Sequence, residues 1–297
     1  MQNYTELDFS TINNAPNLPT FSATEAQQFS IASLSKIYWP LTQILAVFIQ
    51  QHRERFVALS SLQPGVVGPT PFLLALTGSV SVGKTSLAHL LKQLLAKALP
   101  DLQIECVSTD GFLKKTIELE AEGIMHKKGF PESYNNHLLE ATILALKSAQ
   151  AVNIPIYSHE VYDILPDQRQ LLMAPDIVIF EGLNLIQSWN SFDRESCFAL
   201  DMIDYTILLD AELEDISHWY VERFLQQCEK AEKNPTSFYV QFLSMSHEQR
   251  LQFAKRVWQE INALNYQQNI APFKHKADMI IEKNRMHEVV RVSMKRV

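Results

Sequence analysis

The sequence predicts an α/β protein, a mostly parallel sheet with helices on both of its faces. Three observations carry this expectation. Apolar runs such as Phe72-Leu73-Leu74-Ala75-Leu76 and Ile177-Val178-Ile179-Phe180 have the character of strands buried on both sides. Between such runs lie stretches with apolar residues at helical spacing, of which Leu87, Leu90, Leu91, Leu94, Leu95 and Leu99 are the clearest. The first run and this helix are joined by Gly78-Ser79-Val80-Ser81-Val82-Gly83-Lys84-Thr85, which fits G-x-x-x-x-G-K-[ST].

That loop narrows the class to the P-loop NTPase and kinase fold. Its glycines let the backbone close around a phosphate without Cβ clashes. Lys84 can reach the β- and γ-phosphates, the Thr85 hydroxyl can ligate Mg²⁺, and Ser86 follows in the first helical turn. Strand, loop and helix occur in the order that aims a helix N-terminus at the anion, which a Gly-rich surface turn would not require. ATP and Mg²⁺ are therefore the expected cofactors.

The 297 residues suffice for one large domain, expected over 22–297. Residues 1–21 mix Asn, Thr, Ser and Pro without periodicity and read as a flexible arm. A net charge of −7 argues against a nucleic-acid-binding surface. Cys106, Cys197 and Cys228 form no C-x-x-C, so neither a disulfide framework nor a zinc site is indicated. No stretch reads as a membrane span and the N-terminus lacks a signal peptide's apolar core, so a cytosolic protein is expected.

Along the chain, Leu34, Ile37, Leu41, Ile44, Leu45 and Phe48 predict a helix from about Ser33 to Leu62, with Pro40 as a kink or break. Gln63 to Pro71 is a connector. Ile104 to Thr109 predicts a strand ending at Asp110-Gly111. Residues 114–136 are too irregular for a long helix, and His137 to Ser148 resumes helical spacing. Asp176 to Gly182 and Tyr205 to Asp210 predict further buried strands. Glu212 to Lys233 predicts a polar helix that opens a helical lid over about 212–250. Another helix is expected over Leu251 to Leu264, and a last strand over Ala277 to Ile281. Four of the eight glycines, Gly78, Gly83, Gly111 and Gly182, fall at the ends of three predicted strands, where open α/β sheets hold their ligands.

Several side chains at these ends could carry chemistry. Asp110 can accept a proton from a substrate hydroxyl or hold Mg²⁺ through water; it can also merely cap a turn. Glu181 sits where P-loop proteins place an acidic residue near the metal, or marks a strand's exit into water. Arg223 shares a helix face with Trp219 and Tyr220 and could neutralise charge on a transferring phosphoryl group, although most arginines on polar helices are simply solvated. His159, after Pro155-Ile156-Tyr157-Ser158, fits a ligand contact or a surface histidine equally well. The residues alone thus point to a P-loop phosphotransferase acting on a small hydroxyl compound. A GTP-driven switch would need N-K-x-D, which is absent. A non-catalytic nucleotide-binding scaffold would not need acids at two strand ends.

Several stretches taken together resemble the bacterial type I pantothenate kinases from about residue 30 to the C-terminus. They are Tyr38-Trp39-Pro40-Leu41, the P-loop, Ser108 to Leu113, Lys127-Lys128-Gly129-Phe130-Pro131-Glu132-Ser133-Tyr134 and Pro155 to His159. Phe180-Glu181-Gly182-Leu183-Asn184, Trp219-Tyr220 with Arg223-Phe224, and Trp258 to Asn262 followed by Asn269 complete the set. The resemblance implies ATP-dependent phosphorylation of pantothenate to 4'-phosphopantothenate, the entry to coenzyme A synthesis, by a homodimer. A uridine kinase or phosphoribulokinase-like activity is the alternative. It further implies Asp110 as general base, Lys84 as γ-phosphate clamp and Arg223 as transition-state stabiliser. Tyr157, His159, Tyr220 and Asn269 would line the pantothenate pocket, with Lys283 and His287 near the adenine. Three positions depart from the family pattern. His89 replaces an Arg, Gln227 replaces a Phe that helps enclose coenzyme A, and Glu232 replaces another aromatic. An imidazole is mostly uncharged at neutral pH, and Gln offers no aromatic face. Feedback inhibition by coenzyme A is therefore expected to be weaker than is usual in the family.

Overall fold

The computed structural model describes residues 3–8, 18–21, 29–63, 70–183, 185–186 and 200–296. Much of the 1–21 arm, residues 64–69 of the connector, Asn184 and Cys197 lie outside the described residues. The chain begins with a short strand, β1 (Tyr4–Glu6), which pairs antiparallel with the last one. This departs from the expectation of an unstructured start: the Tyr4 hydroxyl donates to Ala277 O at 2.5 Å, and the strand finds a partner that no local pattern announces.

Helix α1 spans Ile31–Leu62. Within it Leu34–Tyr38 forms a π-turn that ends two residues before Pro40, and the wider turn accommodates the proline's missing N–H without breaking the helix. At 32 residues and a mean hydropathy of 1.2, α1 is long and apolar enough to cross a membrane, contrary to the sequence reading. Its packing gives another reason for that composition: Leu34, Leu41, Leu45 and Ile49 are wholly buried in the core of the protein.

Strand β2 (Phe72–Gly78) is buried along its whole length at the middle of the five parallel strands of a seven-stranded sheet. It is followed by α2 (Lys84–Ala98), β3 (Ile104–Ser108), α3 (Thr116–Ala121) and α4 (Asn136–Lys147). Then come β4 (Val152–Ser158) and β5 (Asp163–Leu172), an antiparallel pair that forms a separate sheet. Next are β6 (Ile177–Gly182), β7 (Tyr205–Ala211), α5 (Leu213–Ala231) and α6 (His247–Val257). Helix α6 continues through π-turns at Trp258–Asn262 and Tyr266–Ile270, well beyond the helix expected from spacing. Strands β8 (Met279–Lys283) and β9 (Val289–Lys295) close the fold, so the predicted last strand has a successor.

The sheet order is β1-β9-β8-β7-β2-β6-β3. Strands β3, β6, β2, β7 and β8 run parallel, and β9 and β1 add an antiparallel edge. Successive side chains along a strand point to opposite faces. Thus Phe72, Leu74, Leu76, Ile177 and Ile179 pack with α1 and α2, while Leu73, Ala75, Val178 and Phe180 pack with α4 and β4. A third, smaller apolar cluster joins α5, the turn Phe238–Phe242 and α6 through Val221, Phe224, Phe242 and Ala254.

The parallel strands end close together. A Cβ on Gly182 would lie 1.6 Å from Thr109 Oγ1, and one on Gly111 would lie 2.2 Å from Pro155 O. Gly182→Ala is therefore expected to lower unfolding stability by about 3 kcal/mol or more, since the contact is tighter than ordinary overpacking. Urea denaturation monitored by tryptophan fluorescence measures the loss.

Candidate active site

The loop after β2 adopts positive φ at Gly78 (147°), Ser81 (60°) and Gly83 (95°). Gly78 is required by its surroundings as well, because a Cβ there would meet Leu209 O of the adjacent strand at 2.3 Å. Lys84 opens α2, so the helix N-terminus faces the loop's hollow, and its Nζ donates to Ser79 O at 2.8 Å. The hollow belongs to a cavity of about 1100 Å³ lined by Val80, Ser81, Gly83, Lys84, Thr85 and Ser86 and by Asp110, His159, Glu181 and Arg223. Residues that sequence reasoning reached from separate segments therefore line one cavity.

Asp110 sits in the 3₁₀ turn Thr109–Phe112 that follows β3. Its side chain keeps 22% exposure, enough for a ligand to approach. Burial raises its carboxyl pKa from the ordinary value, against the opposing pull of Lys84, Arg223 and Lys128. Lys84 is pushed the other way, lowered by burial and supported by Glu181 and Asp110. Glu181, 8% exposed, ends β6 between Leu76 of β2 and Ser108 of β3. His159 Nε2 lies 3.8 Å from Asp110 Oδ2. Its side chain is 55% exposed but faces the cleft, where desolvation first and Arg223 next lower its pKa to about 4. It meets Asp110 as a neutral imidazole.

A divalent cation fits this donor set. The Thr85 hydroxyl and the carboxylates of Asp110 and Glu181 line one cavity. Among the described residues no cluster of three His, Cys, Asp or Glu could hold a metal unaided. That combination suits Mg²⁺, which uses one or two carboxylates and takes its remaining ligands from phosphates and water.

Lys283 and His287 differ from each other in placement. Lys283, 6% exposed on β8, donates to Val82 O at 3.1 Å, so its ammonium braces the P-loop main chain from below. Burial lowers its pKa to about 8. His287 stacks on Trp219 at 3.9 Å with an interplanar angle of 20°, and Trp219 Nε1 donates to Arg285 O at 3.0 Å. The β8–β9 turn therefore touches both the phosphate loop and the start of α5. The cavity also extends to the N-terminal end of α1, through Phe29, Ser33 and Lys36, which the sequence did not single out.

Beyond Asp110 lies an aromatic chamber. Tyr157 is 5.3 Å from His159 and 6.3 Å from Tyr162, and Tyr162 stacks on Phe238 at 4.4 Å. Lys128 Nζ lies 4.2 Å from the Tyr162 ring centroid and 5.4 Å from that of Tyr157. Burial raises the phenol pKa values of Tyr157, Tyr162, Tyr220 and Tyr239, so all four present neutral hydroxyls. Tyr220 is hydrogen-bonded to Asn262. Asn269 Nδ2 donates to Asn265 Oδ1 at 2.8 Å. Tyr162, Tyr239 and Asn262 were missed. The sole signal for Tyr162 is its position three residues after His159, which a loop reading passes over.

The comparisons with known proteins agree with this geometry. The model of the phosphoribulokinase/uridine kinase family matches residues 73–223. A pantothenate kinase of Streptococcus pneumoniae is 36% identical over 269 residues, covering 91% of this chain and 87% of the relative. One from Streptomyces coelicolor is 38% identical over 266 residues, covering 88% and 81%. The chain belongs to the pantothenate kinase family. Its fold is also that of D-glycerate 3-kinase from Cryptococcus neoformans, with a TM-score of 0.57 at 18% identity over 85% of this chain and 98% of that one. The protein is thus an ATP-dependent P-loop kinase.

Asp110 carries a stability cost that its chemistry explains. Its folded pKa lies above the ordinary carboxyl value of 3.8, so the folded state favours the proton and loses stability as pH rises through that folded value. Asp110→Asn is expected to melt higher than wild type at pH 7.5, with the difference vanishing below about pH 4. Thermal melts across that range check it.

Proposed function

We propose that the kinase transfers the γ-phosphoryl group of ATP to the primary hydroxyl of pantothenate, giving 4'-phosphopantothenate. The observation that supports this most directly is that Lys84 and Asp110 line one cavity, with Arg223 acting on both. The substrate hydroxyl approaches Asp110 from the aromatic chamber. Asp110, its proton affinity raised by burial, accepts the hydroxyl proton as the oxygen attacks phosphorus. Lys84 clamps the β- and γ-phosphates, and Arg223 on α5 offsets the charge that spreads over the equatorial oxygens. Thr85 and Glu181 would hold Mg²⁺, which when bound would neutralise charge on the phosphates. The phenols of Tyr157 and Tyr220 and the neutral imidazole of His159 offer uncharged hydrogen bonds to the polar groups of pantothenate. Asn269 belongs to that set by the resemblance, and Asn262, bonded to Tyr220, joins it.

The other attributes follow from family membership. A cytosolic homodimer is proposed, with residues 212–250 closing over the substrate and no nucleic acid or membrane as partner. Coenzyme A would inhibit weakly. His89 is exposed on α2, Gln227 is half-buried on α5 and Glu232 is exposed at its end. None of the three provides the guanidinium or the aromatic faces expected in the family.

Asp110→Asn should reduce kcat by about 10³-fold with KM for ATP nearly unchanged. Arg223→Ala should cost a similar factor, about 10³. A coupled ATP-consumption assay with and without pantothenate reads both; undiminished turnover in Asp110→Asn would sink the assignment of the base. Titrating coenzyme A against ATP tests the feedback reading, which tight ATP-competitive inhibition would defeat.

A further inference from the structure

The turn that follows α5 is closed on itself. Ser237 N donates to Asn234 O at 3.1 Å, and Asn234 Oδ1 accepts from Thr236 N at 3.2 Å and Thr236 Oγ1 at 2.8 Å. Two donors on that oxygen fix the amide's orientation, and its nitrogen donates to Glu160 Oε1. Four residues on, Phe238 N donates to the main-chain carbonyl of the same Glu160 at 2.7 Å. Glu160 thus holds both ends of the turn, one with its side chain and one with its backbone. Its own place is set in the hairpin between β4 and β5, where Ser158 Oγ accepts from Glu160 N at 3.2 Å and Val161 N at 3.4 Å. Toward the chamber, the ring of Phe238 stacks on Tyr162, whose carbonyl accepts from Lys128 Nζ at 2.6 Å. Phe238 and Tyr239 in turn pack against Phe242 in the apolar cluster that joins α5 to α6.

We propose that Glu160 is a positioning residue for the acceptor: its carboxylate latches the 234–238 turn onto the β4–β5 hairpin and so keeps the aromatic chamber assembled before the substrate enters. The proposal rests on the reading of that chamber as the pantothenate site. The hairpin carries Tyr157, His159 and Tyr162, whereas Phe238 and Tyr239 arrive on the turn. The Phe238 backbone bond and ring stack set where the two parts meet. The Glu160 side chain adds a bond that one substitution removes without altering either of those. With the turn swung away the chamber loses a wall, and substrate binds only the fraction of molecules still closed. The phosphate loop stands apart from this contact, braced by Lys283. Loss of the latch should therefore weaken acceptor binding and leave ATP alone, a split that general loosening of the fold would not give.

The test compares wild type, Glu160→Ala, Glu160→Gln, Asn234→Ala and the Glu160→Ala/Asn234→Ala pair. One arm follows hydrogen exchange of segment 234–243 in substrate-free protein, with β6 as the internal reference. The other measures KM for pantothenate and for ATP. A hydrogen bond to a charged group predicts that either alanine variant exchanges about tenfold faster in 234–243, with β6 unchanged. KM for pantothenate should rise about fivefold while KM for ATP stays within about twofold. Glu160→Gln, which still offers an oxygen to Asn234, should restore most of the loss, and the pair should do no more than either single variant. Unchanged exchange in a folded Glu160→Ala overturns the proposal, as do equal shifts in both KM values, a failed rescue by glutamine or full additivity in the pair. Should Glu160→Ala fail to fold, Asn234→Ala decides, and failure of both reduces the bond to a structural role. If wild type does not phosphorylate pantothenate, the functional reading fails on its own, while hydrogen exchange still decides whether Glu160 holds the turn.

Discussion

The site depends on how closely the ends of the central strands approach one another. Gly78 is pressed against the Leu209 carbonyl, Gly111 against the Pro155 carbonyl and Gly182 against the Thr109 hydroxyl. Each contact leaves no room for a Cβ: Gly78 and Gly182 let ends of the central strands lie side by side, and Gly111 lets the turn after β3 lie against β4 of the second sheet. That crowding puts the phosphate loop, the 3₁₀ turn of Asp110 and the carboxylate of Glu181 on one rim. Packing on both faces of the sheet then makes the rim rigid: Leu74 and Leu76 are held from one side, Leu73 and Ala75 from the other.

Rigidity allows charges to be kept where water alone would not hold them. Lys84 loses solvation, and so does Asp110, and each is the other's partial remedy. Arg223 works against Lys84 and in favour of an ionised Asp110. It comes from a helix outside the sheet, so the balance depends on where that helix stands. The neutral phenols and the neutral His159 surround this charged group without adding a competing charge. A cleft so arranged carries its free-energy cost before the substrate arrives, as electrostatic preorganisation requires.

Much of this was legible in the sequence because it is local. The P-loop is a contiguous signature between a strand and a helix, and Asp110 and Glu181 each follow a strand pattern with a Gly directly after them. Arg223 stands out on helical spacing, and it lines the same cavity as Lys84. The unread parts are those formed by distant pairing. β5 carries Pro166, Asp167, Gln168 and Arg169, a polar stretch that becomes a strand through its register with β4. β1 and β9 exist as strands through each other and β8. The chamber draws Lys128, Tyr162, Tyr220 and Tyr239 from four segments without a shared motif. Asn262, which bonds Tyr220, ends a π-turn, a change of helical register that periodicity cannot reveal.

The short turn between β8 and β9 has a mechanical consequence. Lys283 grips the Val82 carbonyl, Arg285 receives the Trp219 indole and pairs with Asp215 at 3.6 Å, and His287 lies flat on Trp219. The proximal part of α5 is thus pinned to the same few residues that brace the loop beneath ATP's tail. Any swing of that helix has its fulcrum at Trp219, so Arg223, one turn further out, travels on the lever arm while the anchorage stays still. Nucleotide seating and guanidinium delivery are in this way geared to a common axle.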